Sequence, residues 1–131
     1  MKFKWVPYLV LLIVLIAGSF FLRSTPTYPK WVGESKGKQW LATFEHTKKG
    51  RYSGMLQWQG SSEAYFYYYE FYENGKRTSH SGADRERKPI EYAKYFADLG
   101  GIPKEGERLE LKLVWEEDGT KYEEMIELRK Q

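Results

Sequence analysis

Cysteine is absent from the 131 residues. That excludes a disulfide, a thiolate nucleophile, a cysteine-based zinc site and lipid attachment through a cysteine. Acidic residues are missing from the start of the chain, since all 18 lie between Glu34 and Glu127. Four of the 21 Lys and Arg (Lys2, Lys4, Arg23 and Lys30) precede residue 31. The segment 1–30 therefore carries +4 and the remainder −1, although the whole chain is formally +3. A nucleic-acid partner is not expected, because the remainder has no surplus of positive charge to set against a phosphate backbone. Histidine occurs only as His46 and His80, too sparse and too far apart to suggest a metal site. The sequence has no phosphate-binding glycine loop and no glycine-flanked nucleophile elbow. No cofactor is expected.

What the chain does have, first, is an uncharged apolar run. After a short cationic start, Val6 to Leu22 reads VPYLVLLIVLIAGSFFL. A helix over these 17 residues is roughly 25 Å long, just short of the ~30 Å hydrocarbon core of a bilayer. Two readings fit: an uncleaved signal anchor over 1–22, or a secretory signal cut near Ala17-Gly18-Ser19. The run continues through Phe20-Phe21-Leu22 beyond the small residues, which favours the anchor. Lys2 and Lys4 favour a cytoplasmic N-terminus and an extracytoplasmic remainder. Residues 23–30 (RSTPTYPK) contain two prolines and no periodicity, and read as a stiff linker reaching only about 25 Å. The expected organisation is thus anchor (1–22), linker (23–30) and domain (31–131), at the cell membrane as a single-pass protein.

From residue 40 onward, period-two alternation dominates. Trp40, Ala42 and Phe44 alternate with Leu41, Thr43 and Glu45, and residues 46–50 make a turn. Tyr52, Gly54, Leu56 and Trp58 form a second set, closed by Gly60-Ser61-Ser62. Tyr65 to Tyr72 is an aromatic strand followed at once by Asn74-Gly75, a strong hairpin signal. A polar strand spans about 76–81. Leu109, Leu111, Leu113 and Trp115 alternate with Glu110, Lys112 and Val114, and Asp118-Gly119 turns the chain into 122–128, with Ile126 and Leu128 facing inward. Between them, Pro89 followed by Tyr92, Tyr95, Phe96 and Leu99 at i, i+3, i+4 and i+7, with Gly100-Gly101 as a stop, predicts one short helix. The expected fold is mainly β: a small immunoglobulin-like antiparallel β-sandwich with one short helix, or alternatively a six-stranded barrel.

Some of these residues are similar to a known group. Trp31-Val32-Gly33-Glu34-Ser35 with Trp40, then Leu111-Lys112-Leu113-Val114-Trp115, and Glu124-Met125-Ile126-Glu127-Leu128 resemble the small membrane-anchored extracytoplasmic domains of Bacillus-type Gram-positive bacteria. The similarity covers about 31–60 and 100–129. It implies a β-sandwich and a cell-surface address, and it implies no activity.

The aromatic strand is the sharpest candidate site. Regular alternation puts Tyr65, Tyr67, Tyr69 and Phe71 on one face, and Phe66, Tyr68, Glu70 and Tyr72 on the other. Glu70 marks the second face as the wet one, so Phe66, Tyr68, Glu70 and Tyr72 are the candidate ligand-binding residues. Exposed rings beside polar groups stack on sugars or anchor a protein; aromatics also simply favour strands and cover their neighbours. Catalytic residues are not expected. Ser79, His80, Ser81 and Asp84 spell a triad, but neighbours on a strand point to opposite faces. Glu116-Glu117-Asp118 and Glu123-Glu124 read as solvated carboxylates rather than a glycosidase pair. The leading expectation is a membrane-anchored extracytoplasmic binding or accessory domain whose partner is an envelope protein or a cell-wall glycan. The alternatives are an enzyme acting on envelope polymers and a structural subunit of a membrane complex.

Overall fold

The computed structural model describes residues 4–23, 28–48, 50–82 and 84–131, with side chains left out at 18–23, 48, 98 and 99. Helix α1 spans Val6–Arg23, as expected of an unbroken apolar run. From Val6 to Ile16 its large apolar side chains are half or more exposed. Among the described residues, no helix is long and apolar enough to cross a membrane.

Among the described residues nine strands follow: β1 (Trp31–Glu34), β2 (Trp40–Lys48), β3 (Arg51–Trp58), β4 (Ala64–Glu73), β5 (Lys76–Ser81), β6 (Lys88–Pro89), β7 (Tyr95–Gly100), β8 (Leu109–Glu117) and β9 (Thr120–Lys130). They form one antiparallel sheet in the order β5-β4-β8-β9-β1-β2-β3-β7, with β6 also on β4. The two ends return towards each other, β5 touching β7, so the sheet is a nearly closed barrel. Its halves face one another across the core, as in a sandwich. Unlike the two separate sheets of an immunoglobulin-like fold, they are joined, because β1 pairs with β2 on one side and β9 on the other.

The mainly β expectation is borne out, and all six expected strands are present. Two hairpins turn where dipeptide chemistry demands: Asn74-Gly75 and Asp118-Gly119 all have positive φ, the requirement of the tight turn that matches strand twist. The buried set is also the alternating one: Trp40, Ala42, Phe44, Leu109, Leu111, Leu113, Trp115, Ile126 and Leu128. Rings bridge the halves, with Phe44 5.6 Å from Phe71 and Trp40 6.2 Å from Trp115 between centroids.

The expected short helix is corrected. Pro89 lies in β6 opposite Tyr65, Ile90–Tyr92 makes only a 3-10 turn, and residues 95–100 form β7 against β3. The aromatics at helical spacing do not share a face: Phe96 is fully buried, whereas Tyr92 is 71% and Tyr95 57% exposed. A free edge on β3 and the strand preference of aromatics outweigh four helical matches. Phe96 fits because Gly54 lies beneath it; a Cβ there would be 2.3 Å from the ring.

Candidate functional site

Strand β4 lies between β5 and β8, and its outer face holds most of the candidate residues. The alternation along it is not regular. Phe66 is opposite Trp115 and Tyr68 opposite Val114, so two steps on β4 match one on β8. This bulge reverses the side-chain sense. Phe66, Tyr69 and Phe71 therefore all enter the core cluster. Tyr68, Glu70 and Tyr72 keep the outer side.

Three of the four expected site residues are thus brought together, and Phe66 is corrected: only 2% exposed, it belongs to the interior. Tyr68 is on the expected face but is itself buried, under Arg85 at 4.8 Å and Lys112 at 5.8 Å from its ring centre. Two further tyrosines, assigned by strict alternation to the opposite set, have cations over their rings. Arg87 is 4.1 Å from the centre of Tyr65, and Lys121 4.6 Å from that of Tyr67. The triple tyrosine 67–69 hides the bulge, since any one of three identical residues could be the extra one. The cations come from β8, β9 and the 82–88 loop, and no local spacing announces them.

Carboxylates complete the surface. Glu70 accepts a short hydrogen bond from the Tyr72 hydroxyl and lies 3.7 Å from Arg77. That hydrogen bond, with help from Lys112, Arg77 and Arg85 against the penalty of burial, holds the Glu70 carboxyl below its ordinary range. The same bond pushes the Tyr72 phenol up. Tyr65 is raised in the same way, donating to Glu63 at 2.6 Å. Lys112 is raised chiefly by its bond to Glu123 at 2.9 Å, and Arg87 pairs with Glu116 at 2.9 Å. Chemically, this is a face on which carboxylates, phenols and cations are interleaved, and such groups recognise by charge and hydrogen bond.

The remaining candidates do not converge. His80 is exposed opposite Glu70, while Ser79 is opposite Phe71, so the two sit on different faces. Asp84 bonds Lys88 at 2.7 Å and the Glu86 amide, not His80. His46 stacks on Tyr28 at 3.7 Å. Among the described residues, no three His, Cys, Asp or Glu gather as metal ligands. In comparisons with known proteins, no family model matches the chain, and no curated protein or solved structure matches it significantly.

Proposed function

We propose that this chain is a membrane-tethered accessory domain, held in the bilayer by α1 and meeting an envelope protein through the outer face of β4. The observation that carries the tether is the character of α1. A helix apolar on every side has no stable place in water and belongs in lipid or in a protein interior. The β domain does not supply that interior: the large apolar side chains from Val6 to Ile16 keep half or more of their surface exposed. The helix has 18 residues, roughly 27 Å at about 1.5 Å per residue, a shortfall that local thinning of a ~30 Å hydrocarbon layer absorbs. An extracytoplasmic domain is the orientation that Lys2 and Lys4 favour, and the resemblance of the Trp31 and Trp40 region points the same way.

A protein partner is preferred to a glycan for one reason. Stacking on a sugar needs a bare ring face, and Tyr65, Tyr67 and Tyr68 each already have a cation over one. Interleaved Arg, Tyr and Glu are instead what a polar protein interface uses.

Fractionation of cells expressing the full chain tests the tether. The protein should remain with membranes through an alkaline wash, and a charge at the helix centre, Leu12→Arg, should release it. Recovery of the intact chain from the soluble fraction would overturn the reading. Protease added to intact cells should reach the domain. For the partner surface, in-cell crosslinks should map to β4 and the 82–88 loop and vanish in Arg85→Glu/Arg87→Glu; crosslinks confined to β2 and β3 would discard it.

A further inference from the structure

We propose that Tyr28, Pro29 and Lys30 form a strap that docks on the barrel and, by docking, sets how far the domain can stand from the bilayer. The strap itself follows from contacts within the domain; its effect on height rests on the membrane reading of α1. By sequence, residues 23–30 form a single linker. The structure builds the last three of them into the barrel, held by β9, β3 and β2 in turn.

Lys30 prolongs β1 by one step. Trp31 is in register with Lys130, and beyond that pair the Lys30 carbonyl accepts from the Gln131 amide at 2.8 Å. The Lys30 ammonium lies 3.7 Å from Glu45 on β2, a solvent-facing pair that adds little. The Pro29 carbonyl accepts a hydrogen bond from the Tyr52 hydroxyl at 2.9 Å. Tyr52, on β3, is fully buried, and a buried phenol needs such an acceptor. Tyr28 lies flat on the imidazole of His46, on β2, with 3.7 Å between ring centres and 5° between planes. His46 in turn meets Tyr52 edge-on at 5.8 Å, so strap and seat share one aromatic stack.

Local chemistry favours this path. Pro29 fixes its own φ at about −65° and keeps Tyr28, the residue before it, extended. Little conformational freedom is therefore left to lose on docking. Tyr28 is nevertheless 46% exposed, which makes the strap a marginal contact on a well-packed barrel, the kind of element that opens before the core does.

The consequence is one of length. With the strap docked, only residues 24–27 separate Arg23, the end of α1, from Tyr28, a span of at most about 18 Å. With the strap released, the chain between Arg23 and Trp31 spans at most about 29 Å. One aromatic stack thus decides whether the domain is held close to the lipid or can stand about 11 Å further out.

Trypsin reads the strap directly, because cutting after Lys30 requires that residue to leave its ladder. On the full chain in detergent micelles, the product beginning at Trp31 is quantified by mass, with reclosing faster than cleavage. Tyr28→Ala should raise that rate about fivefold, the worth of one aromatic pair. Tyr52→Phe should raise it by about the same factor through the lost hydrogen bond. Tyr28→Phe, which keeps the stack, should behave as the parent. Cleavage at Lys112, in the central strand β8, reports global opening and should not change in Tyr28→Ala. An unchanged rate at Lys30 in Tyr28→Ala overturns the strap. Equal acceleration at Lys30 and Lys112 also overturns it, since Tyr28 would then belong to the barrel as a whole.

Height is read separately, and the absence of native cysteine makes the labelling unique. A dye is placed at Ser61→Cys, exposed beyond the end of β3, and an acceptor on the headgroups of phosphatidylcholine vesicles that contain the full chain. Energy transfer should fall in Tyr28→Ala/Tyr52→Phe. Unchanged transfer in a double variant that trypsin shows to be released overturns the control of height. A chain that fails to float with the vesicles overturns the membrane reading instead and leaves the trypsin result intact.

Discussion

On the inner face of β4, Phe66, Tyr69 and Phe71 touch other rings; on the outer face, Tyr65, Tyr67 and Tyr68 touch cations. Phe71 lies 5.0 Å from Phe96 and 5.6 Å from Phe44, in a space with no charge. Tyr65 and Tyr67 are half-buried and Tyr68 is buried, each beneath a cation. The same residue type is thus held by packed volume on one side and by electrostatics on the other. The inner face should answer to shape and be indifferent to salt, and the outer face should do the reverse.

The largest break in that comparison comes from Phe71→Ala, which should cost about 3–5 kcal/mol by urea denaturation, unchanged by added salt. Gly54→Ala attacks the same interior from the other side. Its new methyl would meet the Phe96 ring, an overpacking that should cost about 1–3 kcal/mol. Removing one tyrosine from the run 67–69 should cost less than either, because it deletes the bulge residue and leaves a regular strand with Phe66, Tyr69 and Phe71 still inward. A misfolded product would show that the bulge, and not the alternation around it, sets the register.

The two carboxylates of β4 sharpen the contrast at smaller scale. Glu73 falls in the inward phase of the strand, and burial followed by the nearby Glu107 pushes its carboxyl up. An acid raised on folding is strained when ionised, so stability should rise as pH falls through the raised value. Glu73→Gln should be slightly more stable than the parent at neutral pH and should lack that rise. Glu70 is shifted down, chiefly by Tyr72. Its contribution is present above the ordinary Glu range and disappears as pH falls through the lowered folded value. Glu70→Gln should therefore flatten the acid limb of the stability profile, the smallest of these effects, and one that salt should also erode.

Much of the fold was legible because one wet and one dry face leave a period-two trace. Leu109, Leu111, Leu113 and Trp115 show it, although Val114 between the last two is buried as well, and Asn74-Gly75 and Asp118-Gly119 mark turns by backbone chemistry alone. The short strands β1 and β6 have too few residues to show a period. β7 was hidden because Tyr92, Tyr95, Phe96 and Leu99 also satisfy a helical spacing, and only the free edge of β3 decides between the two. At the candidate site, Glu70 identified the outer face correctly. Phe66 was misplaced because a bulge is a property of two strands, and half of it lies on β8, some 48 residues away between Phe66 and Val114.

β1 is four residues long and is the seam that joins the two halves of the sheet. It is also the first strand after the linker. Any pull delivered through that linker enters the molecule at this seam, where only Trp31 and Val32 are in register with β9. Tension there would also bear at once on the aromatic interior, because the Trp31 ring packs on Phe44 and Tyr52.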